Sequence, residues 1–483
     1  MTDVEIPDSP EGGVFPESNS MPLAESNNLV IDTNAHLTVP AGKWLDVNHN
    51  LTNYGGVNGL RLQANDTEVA SLMHHSNNVE ATVESYISQD KWHMISAPIN
   101  NALSNLFADL YLQDFDEPTY AWTYIQPNNY DLAEGRGFMT WSASGSTGNT
   151  TIEYAGTLNN GDLTVNGLSY TASQPNDKRG WNMLGNPYPS TTQWNDNWTR
   201  INTDPVAYIY DGANYITWNA TTQTGTHPNG DIAPGQGFWV KANATGASVI
   251  IPQSERKHSI QQFYKNTIEN QILMTLKGNG LQDKAMIIFD DKATAGFDNQ
   301  YDAWKIKGDL RAPQLYSIFG DAGMTVNTLP MQEEMNIPLG VEVGVVGIYT
   351  LIFNDFETST ELYLEDLHRA KTFKINPEFE YHFIANSGDE VHRFNLHFGN
   401  ALAVEDELVS GINIYTLDSK LYIQSTDILD AELEVYNMVG QKVFSSKLFG
   451  RDYYRVSVNL SEGVYVVSLR SGKELVSGKL FVK

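Results

Sequence analysis

From about Gly411 to Lys483 apolar and polar residues alternate with period two, and turn signals recur roughly every ten residues. In Ala431-Glu432-Leu433-Glu434-Val435-Tyr436, Leu433 and Val435 share one face while the two glutamates share the other. Only an extended strand sorts side chains that way, because successive Cβ atoms point to opposite sides of a sheet. Asn437-Met438-Val439-Gly440 then turns the chain into Gln441-Lys442-Val443-Phe444, and further strands follow at Arg455 to Val458, Gly463 to Leu469 and Gly478 to Lys483. The pattern predicts a small Ig-like antiparallel β-sandwich. Gly, Asn and Thr are abundant elsewhere and long helical periodicity is scarce. The whole chain is therefore expected to be all-β, with tandem β-sandwich-like domains ahead of this last one.

At 483 residues the chain exceeds a single core, and several domains are expected. It has no cysteine, which excludes disulfides, thiol chemistry and thiolate metal sites. The formal charge is −28. From Gly411 onward nine Lys and Arg face eight Asp and Glu, so about −29 falls on the rest. An acidic body repels phosphates, which argues against a nucleic-acid partner. No apolar run is long enough for a transmembrane segment. Met1-Thr2-Asp3-Val4-Glu5-Ile6-Pro7 lacks the basic and apolar regions of a signal peptide, so the sequence is expected to be a mature or truncated form of a longer precursor.

Residues 1–28, rich in Pro, Ser, Glu and Asn, read as a flexible acidic leader. Residues 29–90 carry short strands between Asn/Gly turns and read as a solenoid edge or a small sandwich. Residues 91–258 hold an internal duplication, with copies at about 91–165 and 180–258. Trp92-His93-Met94-Ile95-Ser96-Ala97-Pro98 recurs as Trp181-Asn182-Met183-Leu184-Gly185-Asn186-Pro187, and Ala121-Trp122-Thr123-Tyr124 as Ala207-Tyr208-Ile209-Tyr210. Asp131 to Phe138 recurs as Asp231 to Phe238. The second copy has about fourteen extra residues, Thr217 to Gly230, expected to form a surface loop. Residues 259–399 read as a further β-sandwich, 400–411 as a polar linker and 412–483 as the terminal domain.

Val435 to Val443, Leu460-Ser461-Glu462-Gly463-Val464-Tyr465-Val466-Val467 and Lys479 to Lys483 together resemble the C-terminal (type A) sorting domain of Bacteroidetes type IX secretion cargo. Where family members often open with Pro-Asn-Pro, this chain has Gly411-Ile412-Asn413-Ile414-Tyr415. The resemblance implies a sorting signal around Tyr436, Gly440, Gly463, Tyr465, Lys479, Leu480, Phe481, Val482 and Lys483. It also implies export through periplasm and outer membrane to the cell surface or beyond, with the type IX translocon, its outer-membrane shuttle protein and its sortase as partners. Residues 92–398 resemble a β-rich region often found upstream of this domain in flavobacterial surface proteins, which implies no activity.

Gly135/Gly137 and Gly235/Gly237 lack the third glycine and following helix of a dinucleotide loop, and read as tight turns entering strands. Eight of the ten tryptophans lie between residues 92 and 239. Among them Trp194, Trp198 and Trp218, beside Asn and Asp, are the candidates to stack on a glycan, against a core role for the others. Asp290, Asp291, Asp298 and Asp302 lie on one loop and are the candidate calcium ligands, the only cofactor considered. No Gly-x-Ser-x-Gly, His-Glu-x-x-His or phosphate-loop motif occurs. Paired carboxylates for glycoside hydrolysis depend on spatial neighbours that spacing does not report. The expected function is a non-enzymatic, exported adhesion or stalk protein. The alternative is the carbohydrate-binding C-terminal portion of a larger secreted hydrolase.

Overall fold

A computed structural model describes residues 2–9, 23–142, 150–259, 270–399 and 412–482, apart from 321, 333, 355, 357–360, 378, 418–419, 459, 462 and 472–473. Among the described residues there are strands and short 3-10 turns but no α-helix, so the all-β class read from the alternation holds.

The chain begins as a three-sided parallel coil. Leu29–Ile31 lies between Val4–Ile6 and Leu51–Asn53, and Trp44–Val47 between Leu23–Ser26 and Ser71–Met73. Leu37–Val39 pairs with Leu60–Leu62, which continues onto Glu80–Ile87. All of these pairings are parallel, the arrangement of a solenoid rather than a sandwich; on its other edge Glu80–Ile87 pairs antiparallel with Thr150–Thr157. The inward positions Leu29, Ile31, Val39, Leu45, Val47, Leu60, Leu62 and Leu72 fill its axis. Val4–Ile6 and Leu23–Ser26 fall within the stretch read as a flexible leader. They are strands of the first coil, with Ile6 buried and the Asp3 carboxylate accepting the Asn27 and Asn28 side-chain amides at 2.9 and 2.8 Å. A solenoid strand needs only one or two inward apolar residues, so composition over a long window misses it. Residues 10–22 lie outside the described set.

His74 is buried where the coil meets the second duplicated copy, beneath Arg256, whose guanidinium donates to the His74 carbonyl at 2.7 Å. Burial, with the Arg256 charge adding to it, holds the imidazole down to about 3. The folded value lies below the unfolded one, so the unfolded chain binds the extra proton between about pH 6.5 and 3. Stability is therefore present near neutral pH and is lost as pH falls through that window. His74→Leu should remove about 2–3 kcal/mol of the loss between pH 7 and 4.5. Urea midpoints of the two proteins at those pH values check it, and parallel pH dependences would refute it.

The duplication becomes two four-stranded antiparallel sheets of the same topology. Trp92–Ile95, Phe138–Trp141, Tyr111–Asp116 and Ala121–Tyr124 make the first. Trp181–Gly185, Gly237–Lys241, Val206–Tyr210 and Tyr215–Asn219 make the second, in the same order. By position in the sheet Ala121–Tyr124 is thus the counterpart of Tyr215–Asn219 rather than of Ala207–Tyr210. Both strands of each hairpin carry aromatics, which hid the offset. Each copy also has a flanking pair outside the repeated blocks, Glu80–Ile87 with Thr150–Thr157 and Leu163–Leu168 with Ala247–Ile251.

The copies meet reciprocally. Ile95 bridges Gln236 while its counterpart Leu184 bridges Arg136, and Ser96 N–H donates to Gly235 C=O at 2.7 Å while Gly185 N–H donates to Gly135 C=O at 2.9 Å. The Gly-x-Gly blocks serve this junction. Gly135 and Gly235 turn at φ of 72° and 64°, and a Cβ on Gly137 would stand 2.3 Å from the Leu184 carbonyl oxygen.

Residues 271–398 form an eleven-stranded sheet. Its end strands, Lys371–Ile375 and Glu380–Ala385, bring Phe373 and Tyr381 to 4.9 Å, and Phe383 packs edge-on against Phe394 at 5.0 Å. Met286, Ala303, Trp304 and Val326 of this sheet share a cluster with Met94, Met139, Trp181, Met183, Tyr208 and Trp239 of the duplicated sheets. The solenoid and the first copy likewise share one core, running from Ile6 to Leu158.

The last domain is built on a long hairpin, Lys420–Asn437 with Lys442–Ser457, whose register shifts between Gln424 and Leu429. A bulge bends and twists strands, and here Leu421 and Ile423 before it share a core with Leu433, Val435 and Leu469 after it. Ile412–Leu417 pairs with the first half, and Gly463–Ser471 with Glu474–Val482 extends the second. Residues 400–411, read as a linker, lie outside the described set.

Candidate functional site

The expected sorting residues are held by this small sandwich. Gly440 takes φ of 81° in the turn where Asn437 accepts the Gln441 N–H at 2.9 Å. The Tyr436 hydroxyl donates to Glu434 at 2.6 Å, and the buried Tyr465 donates to the Ser461 carbonyl at 2.9 Å, next to the start of the strand at Gly463. Lys479, Leu480, Phe481 and Val482 pair with Val466, Tyr465, Val464 and Gly463 in that order. Their strand ends the sheet, so among the described residues its far edge has no strand partner. Lys483 lies outside the described residues.

The other expected sites are placed differently. Trp194 and Trp198 are 0% and 2% exposed, packed on each other at 4.7 Å and against Phe238, with their indole N–H groups donating to the Pro205 and Gln193 carbonyls. They are core, and neither offers a ring face to a sugar. Trp218 is half-buried and lies over Gly230, where a Cβ would stand 2.2 Å from its Cδ1.

The four aspartates do not converge. Asp290 accepts the Lys292 N–H at 2.9 Å, Asp298 accepts the Thr294 N–H at 2.6 Å, and Asp291 is exposed. Asp302 accepts the N–H groups of Asp298 and Thr328, both at 2.7 Å, and burial pushes its carboxyl up to about 7. Backbone N–H groups thus occupy Asp290, Asp298 and Asp302, and among the described residues no group of three or more His, Asp or Glu is arranged to hold a metal.

A surface the sequence reading passed over lies on the first duplicated sheet. Tyr111, Tyr120, Trp122 and Tyr124 are 54%, 41%, 39% and 43% exposed, and all four residues of Ala121–Tyr124 face solvent. Trp122 and Phe115 pack at 5.3 Å and both touch Trp239, so the strip is the outer margin of the aromatic cluster joining the copies. The available signal was a strand of alternating aromatics with no charge.

Comparison with known proteins agrees with the terminal module. Residues 417–483 match the family described as "Secretion system C-terminal sorting domain". The chain is type IX secretion cargo of the Bacteroidetes kind, destined for the cell surface or the extracellular space. The rest of it, over residues 1–207 and 194–398, belongs to the family described as "Domain of unknown function (DUF8693)". The minor fimbrium subunit Mfa5 of Porphyromonas gingivalis is 29% identical over 206 residues, 41% of this chain and 16% of that protein, so the chain spans a small part of that relative. A solved structure, "Biofilm associated protein - BSP domain", aligns over 83% of this chain and 92% of its own at 8% identity, with a TM-score of 0.17. No helix among the described residues is long and apolar enough to cross a membrane.

Proposed function

We propose that the chain is a non-catalytic adhesion or stalk protein, carried out of the cell by its last module. The observation that carries the reading is the fusion of solenoid, duplicated sheets and eleven-stranded sheet through shared cores, which makes a stiff β-body suited to presenting a surface. The relative named as a minor fimbrium subunit supports it. In this reading the translocon and shuttle protein recognise the sandwich from residue 412 on, and the sortase acts near its start. The hydrolase-portion alternative loses two of its three glycan candidates to the core. Cells displaying the full chain should adhere to surfaces or to one another more than cells displaying an inert reporter on residues 412–483. Equal adherence at equal display would overturn the proposal.

A further inference from the structure

The two duplicated sheets differ at one edge. In the second copy the outer edge of Tyr215–Asn219 is closed by the extra segment. Thr217 N–H donates to Thr226 Oγ1 at 2.9 Å, Thr217 C=O accepts from His227 N–H at 2.8 Å, and Asn219 N–H donates to Thr224 C=O at 2.8 Å. Thr224, Thr226 and His227 are buried by this return. The extra segment read as a surface loop is therefore an edge cover.

The first copy lacks the segment. After Tyr124 its chain leaves the sheet: Ile125 N–H still donates inward to Leu112 C=O, and Tyr130 has already reached Ser104, bonding it at 2.9 and 3.1 Å. Tyr124 occupies the place of Thr217, since each faces the corresponding residue of the neighbouring strand, Gln113 and Tyr208. The N–H and C=O groups of Trp122 and Tyr124 therefore point outward, and among the described residues nothing bonds to them. Natural edge strands are usually guarded by charge, proline, a bulge or a covering segment. Ala121-Trp122-Thr123-Tyr124 has none within it.

We infer that this open edge docks the same strand of a second copy of the chain, antiparallel about a two-fold axis through Thr123. The register is self-complementary. Trp122 of one copy would exchange both backbone bonds with Tyr124 of the other, and the reverse, giving four hydrogen bonds around a Thr123 pair. Two four-stranded sheets then run on as one of eight, and Trp122 meets Tyr124 across the seam on the aromatic face. That face is continuous with the junction already buried around Trp239. A self-pairing patch gives a closed dimer rather than a chain of subunits. Four residues bury little surface, so the association is weak. Each copy carries −28, so salt strengthens the association by screening the repulsion.

The chain has no cysteine, so Thr123→Cys creates a single thiol. Directly opposed non-bonded residues lie about 4.5 Å apart at Cα, within disulfide reach. Under mild oxidant this variant of the full chain should cross-link at least about tenfold faster than Thr164→Cys, an exposed residue of another sheet. Sedimentation of the unmodified chain should show a dimer fraction that rises with concentration and with salt. Tyr124→Pro, which removes an outward N–H and the ring at the seam but no bond to the neighbouring strand, should abolish it, and so should Trp122→Lys. Equal cross-linking rates, a monomer at every concentration, or a dimer that survives both substitutions overturns the proposal. So does a monomer that takes up neutral oligosaccharides through Trp122, which would make the strip a glycan surface instead.

Discussion

Removing Leu480 to Lys483 abolishes delivery of the chain to the cell surface. The truncation deletes the pairings Leu480 with Tyr465, Phe481 with Val464 and Val482 with Gly463, and with them the outermost strand segment of the sandwich. A strand at the end of a sheet offers unpaired backbone groups that a receptor can extend, so its loss removes the recognition element itself. The body has its own cores and should still fold. Immunoblots of fractions should thus find intact body retained inside the outer membrane and surface signal at background. Normal surface levels of the truncated chain would remove the basis for placing the signal in that strand.

Trp194→Ala costs the second duplicated sheet about 3–5 kcal/mol, as expected for an indole truncated in a packed interior. Trp194 is fully buried against Trp198 and Phe238, its N–H is held by the Pro205 carbonyl at 2.6 Å, and the Arg200 guanidinium lies 5.5 Å from its ring. No neighbour can collapse into that space without moving a strand. Trp218→Ala, at a half-buried ring, should cost clearly less. Urea unfolding followed by tryptophan fluorescence measures both. A Trp194→Ala protein as stable as the parent would mean the residue is not core, and would reopen the glycan reading.

Several features were legible in the order of residues because their cause is local. Alternation at Leu433 and Val435 marks a strand whatever surrounds it. The Gly-x-Gly-Phe blocks announce a turn because left-handed backbone favours glycine, and both Gly135 and Gly235 adopt it. The paired tryptophan blocks announced a duplication. Other features had no local cause. Val4-Glu5-Ile6 looks like any acidic stretch until Leu29–Ile31 lies beside it. Trp194 and Trp198 sit among Asn and Asp in sequence, yet those neighbours turn outward to Glu255 and Arg200 while the indoles turn in. Asp290 to Asp302 resembles a cation loop because acceptors are visible in sequence, whereas the backbone N–H groups that occupy them are not.

That this chain is built of strands, that part of it is doubled and that its last module is an export signal could be read from residue order, since periodicity, repetition and a terminal motif are properties of order alone. Which tryptophans face water, which N–H groups the aspartates accept, and which of two equivalent sheet edges is left open emerge from the folded chain alone. Those outcomes depend on what other segments bring alongside: in the second copy Thr224 to His227 return to cover the edge, and in the first the chain turns away at Ile125.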